Sequence, residues 1–122
     1  SERILFVDDE KMLVEVGEQI LRRLGYDVVS RTSPLEALEL FKARPKDFDL
    51  VISDQTMPSM TGDALARELM KLNPGIPVIL CTGYSQLIDQ RRAREKGIRA
   101  LVMKPILISE IADAIRAVLN QP

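Results

Sequence analysis

The sequence predicts an α/β fold, a (βα)5 doubly wound parallel sheet in which five strands alternate with five helices. Short aliphatic runs alternate with amphipathic stretches five times along the chain, and the connections are only a few residues long. Most of the aliphatic runs are continuously apolar, as expected for strands that are covered on both faces. Strict alternation of strands and helices implies right-handed crossovers with helices on both faces of the sheet.

The aliphatic runs are the predicted strands, and the second is the weakest, so we place it at an edge of the sheet. They are Ile4–Val7, Val28–Val29, Leu50–Ser53, Val78–Cys81 and Ala100–Met103.

Helical spacing marks the segments between these strands. In the first helix Leu13, Val16, Ile20 and Leu24 form one apolar stripe, and Gly25 is the predicted C-terminal stop.

The second helix is predicted to begin at Ser33 as N-cap, with Pro34 at its first position and Glu36 completing a capping box; Leu38 and Phe41 form its stripe. The other helices are predicted over about 63–72, over about 85–96 with Gly97 as the stop, and from about Ser109, with Ile111, Ile115, Val118 and Leu119 on the apolar face of the last one.

Length and composition limit the function classes. The 122 residues fit one domain, 1–122, and the chain opens with Ser just before a strand, so we expect a domain excised from a longer chain. A net charge of -1 gives no basic field for nucleic acid or an anionic membrane. The absence of histidine excludes Ser-His-Asp and Cys-His catalysis. A single cysteine, Cys81, favours a reducing compartment, and we expect a cytoplasmic location.

Polar side chains collect where the predicted strands end. Asp8 and Asp9 follow the first strand, Asp54 the third, Thr82 the fourth and Lys104 the fifth. Ligands of such sheets bind outside the carboxyl ends of the strands. A single aspartate there is usually a helix cap or turn former, but three converging carboxylates repel one another unless a cation is bound.

Oxygen ligands of this kind suit Mg2+, and an ammonium and a hydroxyl beside them suit a phosphoryl group. A carboxylate is the best nucleophile available, which predicts an aspartyl phosphate. The residue chemistry alone does not choose among Asp8, Asp9 and Asp54.

Four motifs are distributed along the chain: VDDE at 7–10, VISDQTMPSMTG at 51–62, CTGYS at 81–85 and MKP at 103–105. With these spacings the chain resembles the receiver domain of two-component response regulators. The second and third motifs are most similar to receivers of hybrid sensor histidine kinases. The resemblance implies a flavodoxin-like fold with strand order 2-1-3-4-5.

The resemblance also implies roles for residues at matching positions. Asp54 would be the phosphoacceptor and would lie in the Mg2+ site. Asp9 would ligate Mg2+ directly, Asp8 mainly through water, and the backbone carbonyl of Thr56 would be a further protein ligand.

Further residues of these motifs would contact the transferred group. Thr82 would donate a hydrogen bond to one phosphoryl oxygen, and Lys104 would pair with another. Lys104-Pro105 would be a cis peptide, as is common in the family.

The remaining motif residues have structural interpretations. Met57 and Met60 are predicted core residues, Gly62 a turn former, Gly83 a residue that leaves space for the phosphoryl group, and Cys81 an inert buried thiol. A basic cluster on and after the fourth helix is interpreted as a solvated face: Arg91, Arg92, Arg94, Lys96 and Arg99.

The sequence departs from the family pattern at Leu101, where receivers usually carry Phe or Tyr. Without that ring, the usual coupling of an aromatic side chain to Thr82 is in doubt. Thr56 and Tyr84 occupy positions that tune self-dephosphorylation in the family, and their bulk predicts restricted access for water.

We therefore expect a phosphoacceptor signalling domain that takes a phosphoryl group from a histidine kinase or a histidine phosphotransfer domain. We expect no direct nucleic-acid binding and no membrane insertion. A homodimer is compatible with the sequence. The domain would catalyse its own modification without being a turnover enzyme alone; a full-length parent could be a hybrid sensor histidine kinase.

Three other functions fit the motifs less well. A Mg2+-dependent phosphohydrolase usually carries a D-x-D pair after the first strand, whereas Asp8 and Asp9 are adjacent. The Asp54, Thr82 and Lys104 set disfavours a non-phosphorylated interaction module. A flavin-binding domain would need a phosphate loop after the first strand, which is lacking.

Overall fold

A computed structural model describes residues 2–83 and 89–121, and within these ranges strands and helices alternate along the whole chain. The strands are β1 (Arg3–Val7), β2 (Asp27–Arg31), β3 (Leu50–Asp54), β4 (Val78–Thr82) and β5 (Ala100–Met103). The helices are α1 (Lys11–Arg23), α2 (Pro34–Ala43), α3 (Gly62–Leu72), α4 (Gln90–Glu95) and α5 (Ile108–Leu119).

The described strands form one parallel sheet in the order β2-β1-β3-β4-β5. This confirms the α/β fold class, the strand order implied by the resemblance and the edge position of the second strand. The register places Asp54 beside Cys81 and Thr82 beside Met103. The ends of β3, β4 and β5 therefore meet at one edge of the sheet, which we call the carboxyl edge.

Two apolar layers hold the helices against the sheet, because successive residues of a strand point to opposite faces. Leu5 and Val51 pack in the layer with α2, α3 and α4. Ile4 and Ile52 pack in the layer with α1 and α5. None of the helices in the described ranges is long and apolar enough to cross a bilayer.

The apolar stripe predicted for α1 is only partly right. The buried residues of α1 are Val14, Gly17 and Leu21, whereas Leu13 and Val16 are 37% and 51% exposed. Gly17 lies against Phe6, where a Cβ atom would come within 2.4 Å of the ring. Since α1 approaches the sheet along the glycine row, the Leu13–Val16 row turns away from the core.

Most of the predicted helix ends are confirmed. The Ser33 side chain accepts a hydrogen bond from the Glu36 amide at 3.3 Å. Gly25 and Gly97 have φ angles of 95° and 86°, a backbone conformation that favours glycine.

The start of α4 differs from its prediction. Asp89 is the N-cap and accepts from the Arg92 amide at 2.8 Å, so α4 begins at Gln90. Residues 85–88 of the predicted helix lie outside the described residues.

Candidate functional site

The polar residues predicted from the strand ends meet at the carboxyl edge. Asp54 ends β3 and Thr82 ends β4, while Asp8 and Lys104 each follow directly after a strand. Asp8, Asp54 and Thr82 are almost fully buried, at 1%, 3% and 3% exposure. Buried polar groups are tolerated only with partners.

Asp8, Asp9 and Asp54 each present a carboxylate oxygen, and these oxygens lie within 4.8 Å of one another. Asp9 lies further toward solvent than the other two. Hard oxygen donors at this spacing fit a divalent cation such as Mg2+. The donor set therefore fits the metal that the resemblance implies.

Lys104 joins two of these carboxylates. Its Nζ lies 2.9 Å from Asp54 Oδ1 and 3.1 Å from Asp8 Oδ2. Burial alone would lower the pKa of Lys104, but the hydrogen bond to Asp54 and the charge of Asp8 outweigh burial and raise it. The ammonium is therefore held in its charged form at neutral pH.

Asp54 has the opposite balance of influences. Burial raises the pKa of Asp54, and the charges of Asp8 and Asp9 add to that effect, whereas Lys104 opposes it. The ion pair with Lys104 compensates part of the cost of burying this carboxylate.

The backbone fixes the position of Asp8. Its amide donates to the Arg31 carbonyl of β2 at 3.3 Å, and its Oδ1 accepts from the Glu10 amide at 3.0 Å. This second bond is the turn-forming role usual for an aspartate, while Oδ2 contacts Lys104. Asp8 thus forms the turn through one carboxylate oxygen and pairs with Lys104 through the other.

Thr82 is tied to β5. Its Oγ1 donates to Met103 Sδ at 3.6 Å, and its carbonyl accepts from the Lys104 amide at 2.7 Å. Leu101, at the usual aromatic position, packs against the apolar layer of α2, α3 and α4. Among the described residues, the Thr82 hydroxyl therefore donates to a thioether, which is a weak acceptor.

The predicted turn role of Gly62 is wrong. Gly62 begins α3, and a Cβ atom there would lie 2.3 Å from the Asp54 carbonyl oxygen. The residue is needed for close approach to Asp54, and the positive φ angle of the β3–α3 loop falls at Ser59, at 73°. The core assignment of Met57 is confirmed by its burial, and Met60 packs beside it.

Some of the remaining expectations agree with the structure, and others stay predictions. Lys104-Pro105 is cis, as the resemblance implies. Burial raises the pKa of the Cys81 thiol to about 12, which agrees with an inert thiol. The roles of the Thr56 carbonyl and of Gly83 stay predictions, and Tyr84 lies outside the described residues.

Gln55, Asp63 and Lys96 form a polar network beside the site that the sequence did not predict as functional. Lys96 Nζ lies 2.6 Å from Asp63 Oδ2, and Gln55 Nε2 donates to Asp63 Oδ1 at 2.9 Å. Their sequence signals were the position of Gln55 directly after Asp54 and an acidic residue in the first turn of α3. An acidic residue is common in the first turn of any helix, and a glutamine after a strand identifies no particular role, so neither signal is specific.

Comparison with known proteins identifies the family. The sequence profile of the response regulator receiver domain matches residues 4–116. The chain belongs to the response regulator receiver domain family. As such a receiver, it is a phosphoacceptor signalling domain of two-component systems.

Individual relatives agree with this assignment. The receiver is 31% identical over 121 residues to the sensor kinase CckA of Brucella abortus (strain 2308), covering 99% of this chain and 13% of the kinase. The crystal structure of a response regulator receiver domain protein from Clostridium thermocellum has a TM-score of 0.93 and 29% identity, with 98% of this chain and 95% of that chain covered.

The similarity to receivers of hybrid kinases is also confirmed. The receiver domain of the hybrid histidine kinase CckA superposes with a TM-score of 0.80 and 30% identity, covering 97% of this chain and 99% of that chain. This receiver spans between 13% and 49% of the length of the curated relatives compared.

Proposed function

We propose that Asp54 is the phosphoacceptor and that it takes a phosphoryl group from a phosphohistidine of a partner protein in a Mg2+-dependent reaction. The observation that carries this proposal is the convergence at Asp54. Its carboxylate lies at the carboxyl edge, 2.9 Å from the Lys104 ammonium and beside the oxygens of Asp8 and Asp9.

In the proposed reaction an Asp54 carboxylate oxygen bonds to phosphorus as the phosphorus–nitrogen bond to the donor imidazole breaks. The electron pair of that bond returns to the imidazole ring. Lys104 would move its pairing from the carboxylate to a phosphoryl oxygen, and Thr82 would donate to another. Bound by Asp8, Asp9, Asp54 and the Thr56 carbonyl, Mg2+ would supply charge stabilisation for the phosphoryl oxygens.

The test of this reaction is the intact mass of the protein after incubation with acetyl phosphate and Mg2+. The expected result is a gain of one phosphoryl group, which is absent from Asp54→Asn and from a sample with chelator. An adduct that persists in folded Asp54→Asn would place the phosphoacceptor elsewhere. Many turnovers of a small phosphate ester would instead indicate a phosphohydrolase.

The donor is proposed to be a protein because an apolar groove leads to the site. Leu13, Val16 and Ile20 of α1 line a groove of about 490 Å³ together with Pro105, Ile106 and Lys104. A histidine kinase or a histidine phosphotransfer domain that brings its phosphohistidine to Asp54 would cover these side chains. A small donor such as acetyl phosphate would not need them.

Replacement of Val16 by Asp separates the two kinds of donor. We expect Val16→Asp to slow transfer from a histidine phosphotransfer domain that phosphorylates the wild type, and to leave acetyl phosphate reactivity unchanged. Leu35→Asp is the matched control, because Leu35 is 49% exposed on α2, which packs against the opposite face of the sheet. If the phosphotransfer domain transfers its phosphoryl group to Val16→Asp as fast as to Leu35→Asp, the groove does not bind the donor.

We also propose a cytoplasmic location and a hybrid sensor kinase as the parent protein. Support for the first is the lone, buried Cys81, which suits a reducing compartment. Support for the second is the similarity to the CckA receivers. A fluorescent fusion of the full-length protein and the sequence of the complete gene product would test the two statements separately.

A further inference from the structure

A carboxylate outside the proposed metal set closes the β3–α3 loop, residues 55–61. Asp63 Oδ1 accepts hydrogen bonds from Gln55 Nε2 at 2.9 Å, from Thr61 Oγ1 at 2.6 Å and from the Ala64 amide at 3.0 Å. The side chain of Asp63 is only 14% exposed. Three donors on one oxygen hold both ends of the loop to a single point.

Gln55 completes this closure from the other side. Its Oε1 accepts from the Asp63 amide at 2.9 Å, and its backbone carbonyl accepts from the Gly62 amide at 2.8 Å. Gln55 directly follows Asp54, and its own amide donates to the Cys81 carbonyl at 3.0 Å. The start of α3 is therefore fixed relative to the phosphoacceptor by reciprocal hydrogen bonds.

The second oxygen of Asp63 connects this loop to α4. Lys96, the C-cap of α4, reaches Asp63 Oδ2 at 2.6 Å. Burial would raise the pKa of Asp63, but the hydrogen bonds from Lys96, Thr61 and Gln55 prevail and lower it. Asp63 is therefore charged at neutral pH and bonded through both oxygens.

The loop that Asp63 closes carries Thr56, whose carbonyl is the proposed backbone ligand of Mg2+. Hydrogen bonds outside a metal site orient the groups that bind the metal, and loss of such bonds typically weakens metal binding 10- to 100-fold. Gly62 leaves little room for the loop to shift toward Asp54, because even an added Cβ atom at Gly62 would come within 2.3 Å of the Asp54 carbonyl oxygen. The loop position is thus set by the Asp63 bonds on one side and by close contact on the other.

We infer that Asp63 is a positioning residue for the Mg2+ site and that Lys96 links this position to α4. The inference rests on the proposed function, since it concerns the metal that Asp54 chemistry requires. Asp63 would act through Gln55 and the loop backbone, without contacting the metal or the phosphoryl group.

The test is the Mg2+ dissociation constant of the intact domain, measured by titration calorimetry, with melting temperatures taken without Mg2+. We expect Asp63→Ala to weaken Mg2+ binding about tenfold. Lys96→Gln, which removes only the bond to Oδ2 and lies at an exposed position, should weaken it by a smaller factor. Asp63→Asn should fall between them, because its amide can accept at one position but cannot pair with Lys96.

Asp27→Ala is the matched control. Asp27 forms an ion pair with Arg3 at 2.8 Å, at the start of β2 and away from the carboxyl edge. This variant should keep the wild-type Mg2+ affinity even if it melts at a lower temperature. If Asp63→Ala and Lys96→Gln also keep wild-type affinity, Asp63 only stabilises the start of α3 and the inference is wrong.

Failure of the proposed function gives a different result. In that case the wild type itself would neither bind Mg2+ nor gain a phosphoryl group. If Asp63→Ala does not fold, Lys96→Gln decides the question, because a solvent-exposed lysine can be replaced without disturbing the core. An unchanged dissociation constant in folded Lys96→Gln would then overturn the inference.

Discussion

Replacing Gly62 by Ala tests whether close packing at the start of α3 sets the geometry of the phosphoacceptor. The added Cβ would lie 2.3 Å from the Asp54 carbonyl oxygen and 2.9 Å from Leu80 Cδ2. Cβ atoms essentially never approach other atoms more closely than 3.0 Å, so the contact with Asp54 must open by about 0.7 Å. The contact is with backbone, which cannot rotate away as a side chain can.

This displacement should change both stability and reactivity. Inserting a methyl group into such a contact costs about 1–3 kcal/mol of unfolding free energy. The gain in helix propensity offsets less than about 1 kcal/mol of this. Misplacement of a reacting group by about 1 Å can lower a rate about 100-fold. We therefore expect Gly62→Ala to lose on the order of 1 kcal/mol of net unfolding free energy and to be phosphorylated at least about tenfold more slowly by acetyl phosphate.

Urea unfolding and intact-mass time courses measure these two effects. Gly75→Ala is the control, because a Cβ atom at Gly75 would meet only Asn73 Oδ1, at 3.8 Å. This variant should behave as the wild type in both assays. A Gly62→Ala protein with wild-type stability and wild-type phosphorylation rate would refute the packing argument.

Three further changes test other parts of the structure. Lys104→Ala leaves Asp8 and Asp54 without their shared cation, so urea unfolding without Mg2+ should show a loss of about 3 kcal/mol; an unchanged unfolding free energy would contradict the role of this ion pair. The pKa of Asp63 is lowered by folding. The Asp63 carboxylate therefore contributes fully to the free energy of unfolding above the ordinary aspartate pKa of about 3.9, and this contribution is lost as the pH falls further. The difference in unfolding free energy between wild type and Asp63→Ala should therefore narrow below about pH 4. A difference that stays constant down to the lowest pH at which both proteins fold would show that the charge of Asp63 does not stabilise the fold. Ser33→Ala should cost about 1 kcal/mol of unfolding free energy, whereas Ser33→Thr should retain most of the stability that the N-cap hydrogen bond provides. Equal unfolding free energies of the two variants would show that this hydrogen bond does not stabilise α2.

The sheet and the main site were predictable because both depend on patterns local in sequence. Continuous apolar runs identified the strands, and parallel strands bring their carboxyl ends to one edge whatever their separation along the chain. Asp54 and Lys104 are 50 positions apart and yet lie 2.9 Å apart. The prediction needed the direction of the strands, and their order came from the resemblance.

The errors arose where the decisive information lies in another element. The two apolar rows of α1 have the same helical spacing, and the close approach of Gly17 to the ring of Phe6 depends on a residue of β1 that the spacing does not include. The role of Gly62 depends on the distance to the Asp54 carbonyl, which no local pattern reveals. Asp63 and Lys96 have the sequence character of solvated helix residues, and their ion pair spans 33 positions.

The charges of the side chains at the carboxyl edge determine how much positive charge a bound cation must supply. Asp8, Asp9 and Asp54 carry three negative charges, and Lys104 carries one positive charge, so a single divalent cation neutralises this set of four. An aspartyl phosphate would exchange the single charge of Asp54 for nearly two on the phosphoryl group. The phosphorylated set would then keep close to one uncompensated negative charge even with Mg2+ bound. Phosphorylation should therefore increase the affinity of the site for Mg2+. It should also attract cations to the carboxyl edge more strongly than in the unphosphorylated receiver, including positively charged groups of a binding partner.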